Sequence, residues 1–211
     1  MKRFFATLLT LALVTAVSAK DFEGKLEMTM TAKKTSTPMT YFIKGGNIRF
    51  EMKPDAKTTS VGLVDSKTGD ITILMPEQKM YMTIGAKNAG KLAADFTFKE
   101  TGRTETIAGR KCHEFVATDK KNTFEIWATS ELGGVANIAE AFGRRGQRSA
   151  WEQEMIDRNL FALRVITKNK KGVEQSRMEC TSVSEEKLSD DLFKIPEGYS
   201  KLPGLGDLFG R

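Results

Sequence analysis

From Phe22 onward, apolar and polar residues alternate with a period of two: Leu26, Met28, Met30 and Ala32 fall on one side, Glu27, Thr29 and Thr31 on the other. Successive side chains of a strand point to opposite faces, so a chain that keeps this rhythm buries one face of a sheet and wets the other. The pattern recurs at Met39, Tyr41 and Ile43, at Ile48, Phe50 and Met52, at Ile71, Ile73 and Met75, and at Met80, Met82 and Ile84. Turn signals separate these runs: Gly45-Gly46-Asn47, Lys67-Thr68-Gly69-Asp70 and Pro76-Glu77-Gln78. Connections that short join only antiparallel neighbours, so the first half reads as a meander of hairpins.

A loop-like interruption over residues 85–91 precedes further strands around residues 96–98, 104–108, 111–118 and 123–128. The period then changes. Val135, Ile138, Ala139 and Phe142 lie on one face of a helix, and Trp151 with Met155, spaced i and i+4, predicts a second short one. Strand grammar returns at Phe161, Leu163 and Val165 and continues over residues 173–183, after which Ser189 is placed to cap a helical turn. A one-faced sheet of this size needs a cover. It can close as a barrel, or curl and let the helical segments plug its concave side. The helical interlude favours the second. The expected fold is mainly β (α+β), a single strongly curved antiparallel sheet or half-open β-barrel with helices covering the concave face.

The first residues give an address. Lys2 and Arg3 precede an uncharged run over residues 4–17, and Val17-Ser18-Ala19 offers the small residues that a signal peptidase reads. That run falls short of the roughly 20 residues that a spanning helix needs. Residues 1–19 are therefore expected to be a cleaved signal peptide, residues 20–202 a single domain and residues 203–211 a flexible tail. The protein is expected to be periplasmic or secreted, and not membrane-spanning. Losing Lys2 and Arg3 takes 33 basic residues to 31 against 27 acidic ones, a mild net charge of +4. Its cations are scattered, which speaks against nucleic acid. The one concentration, Arg144, Arg145 and Arg148, reads either as a helix C-terminus favouring cations or as a docking patch for an anionic partner.

Export gives Cys112 and Cys180 a meaning. In an oxidising compartment two thiols suggest a disulfide, which on the chain-entropy model would add about 4 kcal/mol. Met178 and Cys180 share a strand face, whereas Cys112 could follow either Val116 or Phe115. Chemistry is otherwise sparse. His113 is the only histidine and neighbours Cys112 in a strand, where adjacent side chains diverge and cannot jointly hold a metal. No nucleophile elbow, zinc, thiol-redox, phosphate-loop or calcium-loop motif occurs. Glu185-Glu186 and Asp190-Asp191 read as solvated or capping carboxylates. Neither catalysis, nor a metal, nor a cofactor is expected.

Methionine is the positive signal. Met28, Met30, Met39, Met52, Met75, Met80 and Met82 crowd the first half and mostly share the apolar face. Flexible thioethers fill irregular cores and also line surfaces that accept varied apolar ligands. The candidate groove comprises Leu26, Met28, Met30, Ile48, Phe50, Met52, Ile71, Ile73, Met80 and Met82.

Three segments carry a family likeness: Ile107-Ala108-Gly109-Arg110-Lys111-Cys112, Glu125-Ile126-Trp127-Ala128-Thr129 and Leu192-Phe193-Lys194-Ile195-Pro196-Glu197-Gly198-Tyr199. With the Pro76-Glu77-Gln78-Lys79-Met80-Tyr81 hairpin they resemble the exported bacterial domain of unknown function 4412. One departure is Leu160-Phe161-Ala162-Leu163, which stands where glycine and proline would be expected. Such proteins are similar in architecture to the periplasmic lipoprotein carriers of the Lol system, whose half-open barrel with a helical lid holds acyl chains. The resemblance implies compartment and architecture and brings no catalytic residues. The expected function is that of a monomeric, non-catalytic binding protein for a lipid, an acyl chain or a lipidated partner. The alternative is an envelope interaction protein with a filled core.

Overall fold

The structure, a computed structural model, describes residues 22–33, 35–53, 59–65, 67–85, 96–132 and 150–202. The expected signal peptide, the helix over 135–142, the Arg144 to Arg148 concentration and the tail after residue 202 lie outside these residues.

The described strands form one 12-stranded sheet. Six make the first meander: β1 (Gly24–Ala32), β2 (Thr35–Lys44), β3 (Asn47–Met52), β4 (Ser60–Val64), β5 (Ile71–Met75) and β6 (Met80–Ile84). Five make a second: β7 (Thr97–Ile107), β8 (Arg110–Thr118), β9 (Asn122–Thr129), β10 (Phe161–Asn169) and β11 (Glu174–Glu185). Every neighbour within each meander is antiparallel, as the short turns require. An antiparallel seam between β1 and β11 joins them, with Leu26 opposite Val183 and Met28 opposite Cys180. β7 ends one side of the sheet and β12 (Ser200–Lys201) the other, so the sheet is open and unclosed. β12 pairs with β6 in parallel, which makes the sheet not wholly antiparallel.

Two strands differ from the sequence reading for physical reasons. β4 has no counterpart in that reading because Val61, Gly62, Leu63 and Val64 are all buried, leaving no alternation to read. Residues 96–98 and 104–108 read as two strands, yet β7 runs unbroken through a bulge at Thr101-Gly102-Arg103. Glu114 of β8 stands opposite that bulge. It is 1% exposed and accepts hydrogen bonds from Thr101 Oγ1 at 2.5 Å and Arg103 Nε at 2.6 Å. Arg103 also lies 5.8 Å over the Trp127 ring. A buried carboxylate held this way fixes the extra residues in place. Smaller register shifts occur within β1–β11, β9–β10 and β10–β11.

The described residues contain one α-helix, α1 (Ala150–Asp157), where Trp151 and Met155 predict it. Both side chains join the core, and the Trp151 ring lies 5.6 Å from that of Phe124. One short helix is not the set of helices expected over the concave face. The sheet's own large side chains contribute to burying its apolar face, with Tyr41 and Phe50 rings 5.9 Å apart and Phe98 stacked on Phe115 at 5.2 Å. Asn159, at φ 54°, supplies the turn into β10 for which glycine was expected. Ser189 caps the helical turn Asp190–Phe193, its Oγ accepting from the Asp191 amide at 3.3 Å.

Candidate functional site

Register places the ten candidate groove residues on one face. One row runs Val183, Leu26, Tyr41, Phe50, Gly62, Ile73, Met82 across seven strands. A second runs Ile43, Ile48, Val64, Ile71, Ile84, and a third Cys180, Met28, Met39, Met52. Burial along these rows is uneven. Leu26, Met28, Ile48, Phe50 and Ile71 lie within the main core cluster, with Met30, Met52 and Ile73 packed against it. Met80 and Met82 on β6 are half-buried and outside that cluster. The face is therefore sealed near β1 to β3 and thinly covered at β6.

The opposite face differs at its two ends. Near β4 and β5 it carries a second small core of Val61, Leu63 and Leu74, packed by Tyr81 and by Tyr199 from the C-terminal segment. Across the second meander it is charged and paired: Arg164 bonds Glu105 at 2.8 Å and Glu179 at 2.6 Å, and Arg177 bonds Glu174 at 3.0 Å.

At the β7–β8 end of the apolar face the chemistry turns polar. The row Met30, Met178, Val165, Ile126, Phe115 ends on Glu100, and along β8 the same face continues from Phe115 to His113. These residues line a cavity of about 310 Å³ together with Lys111, the segment Thr129-Ser130-Glu131, and Arg158 and Leu160 after α1. Among its charged groups, Glu131 and Arg158 are matched by ion pairs. His113 Nδ1 lies 3.0 Å from Glu100. Glu131 meets Arg110 at 3.3 Å, and Arg158 meets Glu154 at 3.0 Å while lying 5.0 Å over the Phe98 ring. The Lys111 ammonium has no ion-pair or hydrogen-bond partner among the described residues. Sequence reasoning gave His113 no shared metal with Cys112 and missed the cavity. The available signal was Lys111 and His113 continuing the parity of Phe115 and Ala117 along one strand. A second cavity, about 380 Å³, lies beside the seam between Thr31-Ala32-Lys33 and Glu174-Gln175-Ser176.

Cys112 and Cys180 are both free thiols buried in the main core cluster, and no bridge joins them. Cys180 faces inward opposite Met28, as its parity predicts. Cys112 shares Val116's parity and is fully buried, as is Glu114 on the same parity. Burial pushes each thiol up to about 11, which keeps both protonated and unreactive near neutrality. Among the described residues no group of three or more His, Cys, Asp or Glu could hold a metal ion, and no helix is long and apolar enough to cross a membrane.

Solved structures share this fold at low identity. PNGF-II is 16% identical with a TM-score of 0.54 over 89% of this chain, which spans about a third (32%) of that protein's length. An uncharacterized conserved protein from Thermus thermophilus is 9% identical with a TM-score of 0.52, covering 85% of this chain and 90% of its own. A domain from Vibrio parahaemolyticus assigned to outer membrane lipoprotein sorting covers 84% of this chain and 91% of its own at 12% identity. Its TM-score of 0.36 is too loose to carry an argument about function. Comparison with curated protein sequences finds no match. Residues 22–199 match the family model of DUF4412, a domain of unknown function, and the chain belongs to that family.

Proposed function

We propose that the chain is an exported, non-catalytic binding protein whose apolar sheet face accepts a lipid, an acyl chain or a lipidated partner. The observation that carries this reading is the uneven cover of that face, sealed at Leu26 and Phe50 and left half-buried at Met80 and Met82. Methionines at such a margin can repack around ligands of different shape. Native mass spectrometry of protein isolated from its own cell envelope tests the idea. The expected result is an adduct of acyl-chain mass; ligand-free protein that also takes up no fluorescent fatty acid would count against it.

Export carries its own test, since N-terminal sequencing of the envelope protein should begin at Lys20. A mature chain that still begins at Met1 would refute it. In that compartment Cys112 and Cys180 would meet an oxidising environment before folding buries them, and we extend the proposal to a bridge between them. Alkylation in denaturant without reductant should add no mass, and two adducts would refute the bridge. Burial of Leu26, Met28, Ile48 and Phe50 to 0–1% exposure favours a second reading, an envelope interaction protein with a filled core. Absence of acyl uptake, with protein partners recovered by crosslinking, would select it.

A further inference from the structure

We propose that one end of the sheet is a docking surface for the anionic face of a membrane, made by three adjacent hairpin turns. The inference stands apart from the acyl-binding reading above and uses none of its residues. The β1–β2, β10–β11 and β8–β9 connections all turn at the same end, because Ala32 pairs with Thr35 and Ser176, and Asn169 with Asn122. Each carries exposed lysines: Lys33 on the first, Lys170 and Lys171 on the second, Lys120 and Lys121 on the third. These cations are far apart in sequence, and the strand order gathers them. Hairpins two strands apart stand about 10 Å from each other, near the Debye length at about 0.1 M salt, so their fields add.

The charge at this end is not cancelled. Within the three turns and the strand residues that bound them, the described carboxylates are Asp119 and Glu174. Asp119 accepts from the Lys121 and Asn122 amides at 2.7 Å, and Glu174 is held by Arg177 at 3.0 Å. Lys33, Lys121 and Lys171 make no ion pair among the described residues. Cations at the other end of the strands are matched instead: Lys44 meets Glu23 at 3.4 Å and Asp190 at 2.8 Å, and Arg110 meets Glu131 at 3.3 Å and Glu185 at 2.7 Å.

The kind and spread of the charge select the partner. Lysine is a hydrated point charge without the flat fork that grips one phosphate, and a row of lysines on separate turns converges on no single anion. Such a row suits a broad surface of anionic headgroups, where each cation adds its own attraction. Val173, 55% exposed and two residues from Lys171, places an aliphatic side chain among these charges. A headgroup region, apolar below and anionic above, accommodates both.

The full chain is sedimented with vesicles of phosphatidylglycerol and phosphatidylcholine in equal parts and with vesicles of phosphatidylcholine alone, and is titrated in parallel with duplex DNA. It is expected to bind the anionic vesicles, and to be released from them as NaCl rises from about 0.1 M to about 1 M. Lys33→Gln/Lys121→Gln/Lys171→Gln should bind them at least about tenfold more weakly, since each lysine near an anionic surface contributes roughly fivefold. Lys67→Gln/Lys187→Gln/Lys194→Gln removes the same charge from exposed lysines toward the other end, and should stay within about threefold of the parent. Equal binding to the two vesicle types, or equal losses in the two variants, overturns the docking surface. Tighter binding to DNA than to the anionic vesicles also overturns it, and assigns the turns to a soluble polyanion.

Discussion

Gly62 on β4 sits directly opposite Phe50 on β3, and a Cβ added there would come within 1.9 Å of the Phe50 ring. The outer edge of the ring occupies the space that any side chain would need. Gly62→Ala should therefore destabilise the fold by about 3 kcal/mol, read as a lower urea midpoint, and Phe50→Leu in the same chain should recover part of it. The buried thiols make a prediction of opposite character, through pH. Burial raises both to about 11, above the ordinary value, so the folded chain holds these protons more tightly than the unfolded one. In the reduced chain their contribution to stability is complete below about pH 8.5 and is lost as pH rises toward about 11. The fall in urea midpoint over that window should be shallower in a Cys112→Ala/Cys180→Ala variant than in the parent chain.

Elements depend on residues that are distant in sequence. Tyr199 packs the outer cluster of Val61, Leu63 and Leu74 just before Ser200 donates to the Lys79 carbonyl at 2.9 Å and Leu202 to that of Tyr81 at 2.7 Å. Tyr199→Ala should cost about 1–2 kcal/mol and speed hydrogen exchange at the Ser200 and Leu202 amides before any other strand loosens. Nothing in the alternation of β6 announces this partner, since two residues of parallel pairing leave no periodic signature. β1, β2, β3, β5 and β6 were legible because apolar residues recur at every second position, and β8 to β11 were read in place as well. β4 was illegible because it packs on both faces, and β7 because a bulge pinned by Glu114 interrupts its count. The ten candidate groove residues were readable as one face for the same reason that β1 was. The polar cavity was not, because Lys111 and His113 look like ordinary surface residues until register places them beside Phe115.

At the scale of the whole molecule, the two faces of the second meander hold by different forces. Its charged face is a lattice of partly exposed ion pairs linking Glu105, Arg164, Glu179, Arg177 and Glu174, whereas the other side is apolar. Exposed pairs contribute little and are screened by salt, so raising NaCl from about 0.05 M to about 1 M should move the melting temperature by less than about 3 °C. A larger fall would mean that the lattice supports the fold. The seam between β1 and β11 governs how this molecule comes to exist. Each meander is built from neighbours in sequence, but Ala32 at the seam pairs with Ser176, 144 residues further on. Hairpins close quickly and distant partners slowly, so the seam sets the folding rate. During synthesis the first six strands can assemble while one edge of β1 waits for residues 174–185, and an unpaired edge is a template for pairing with another chain. A chain kept unfolded until its last strand is available avoids that exposure; one released early presents the edge to its neighbours.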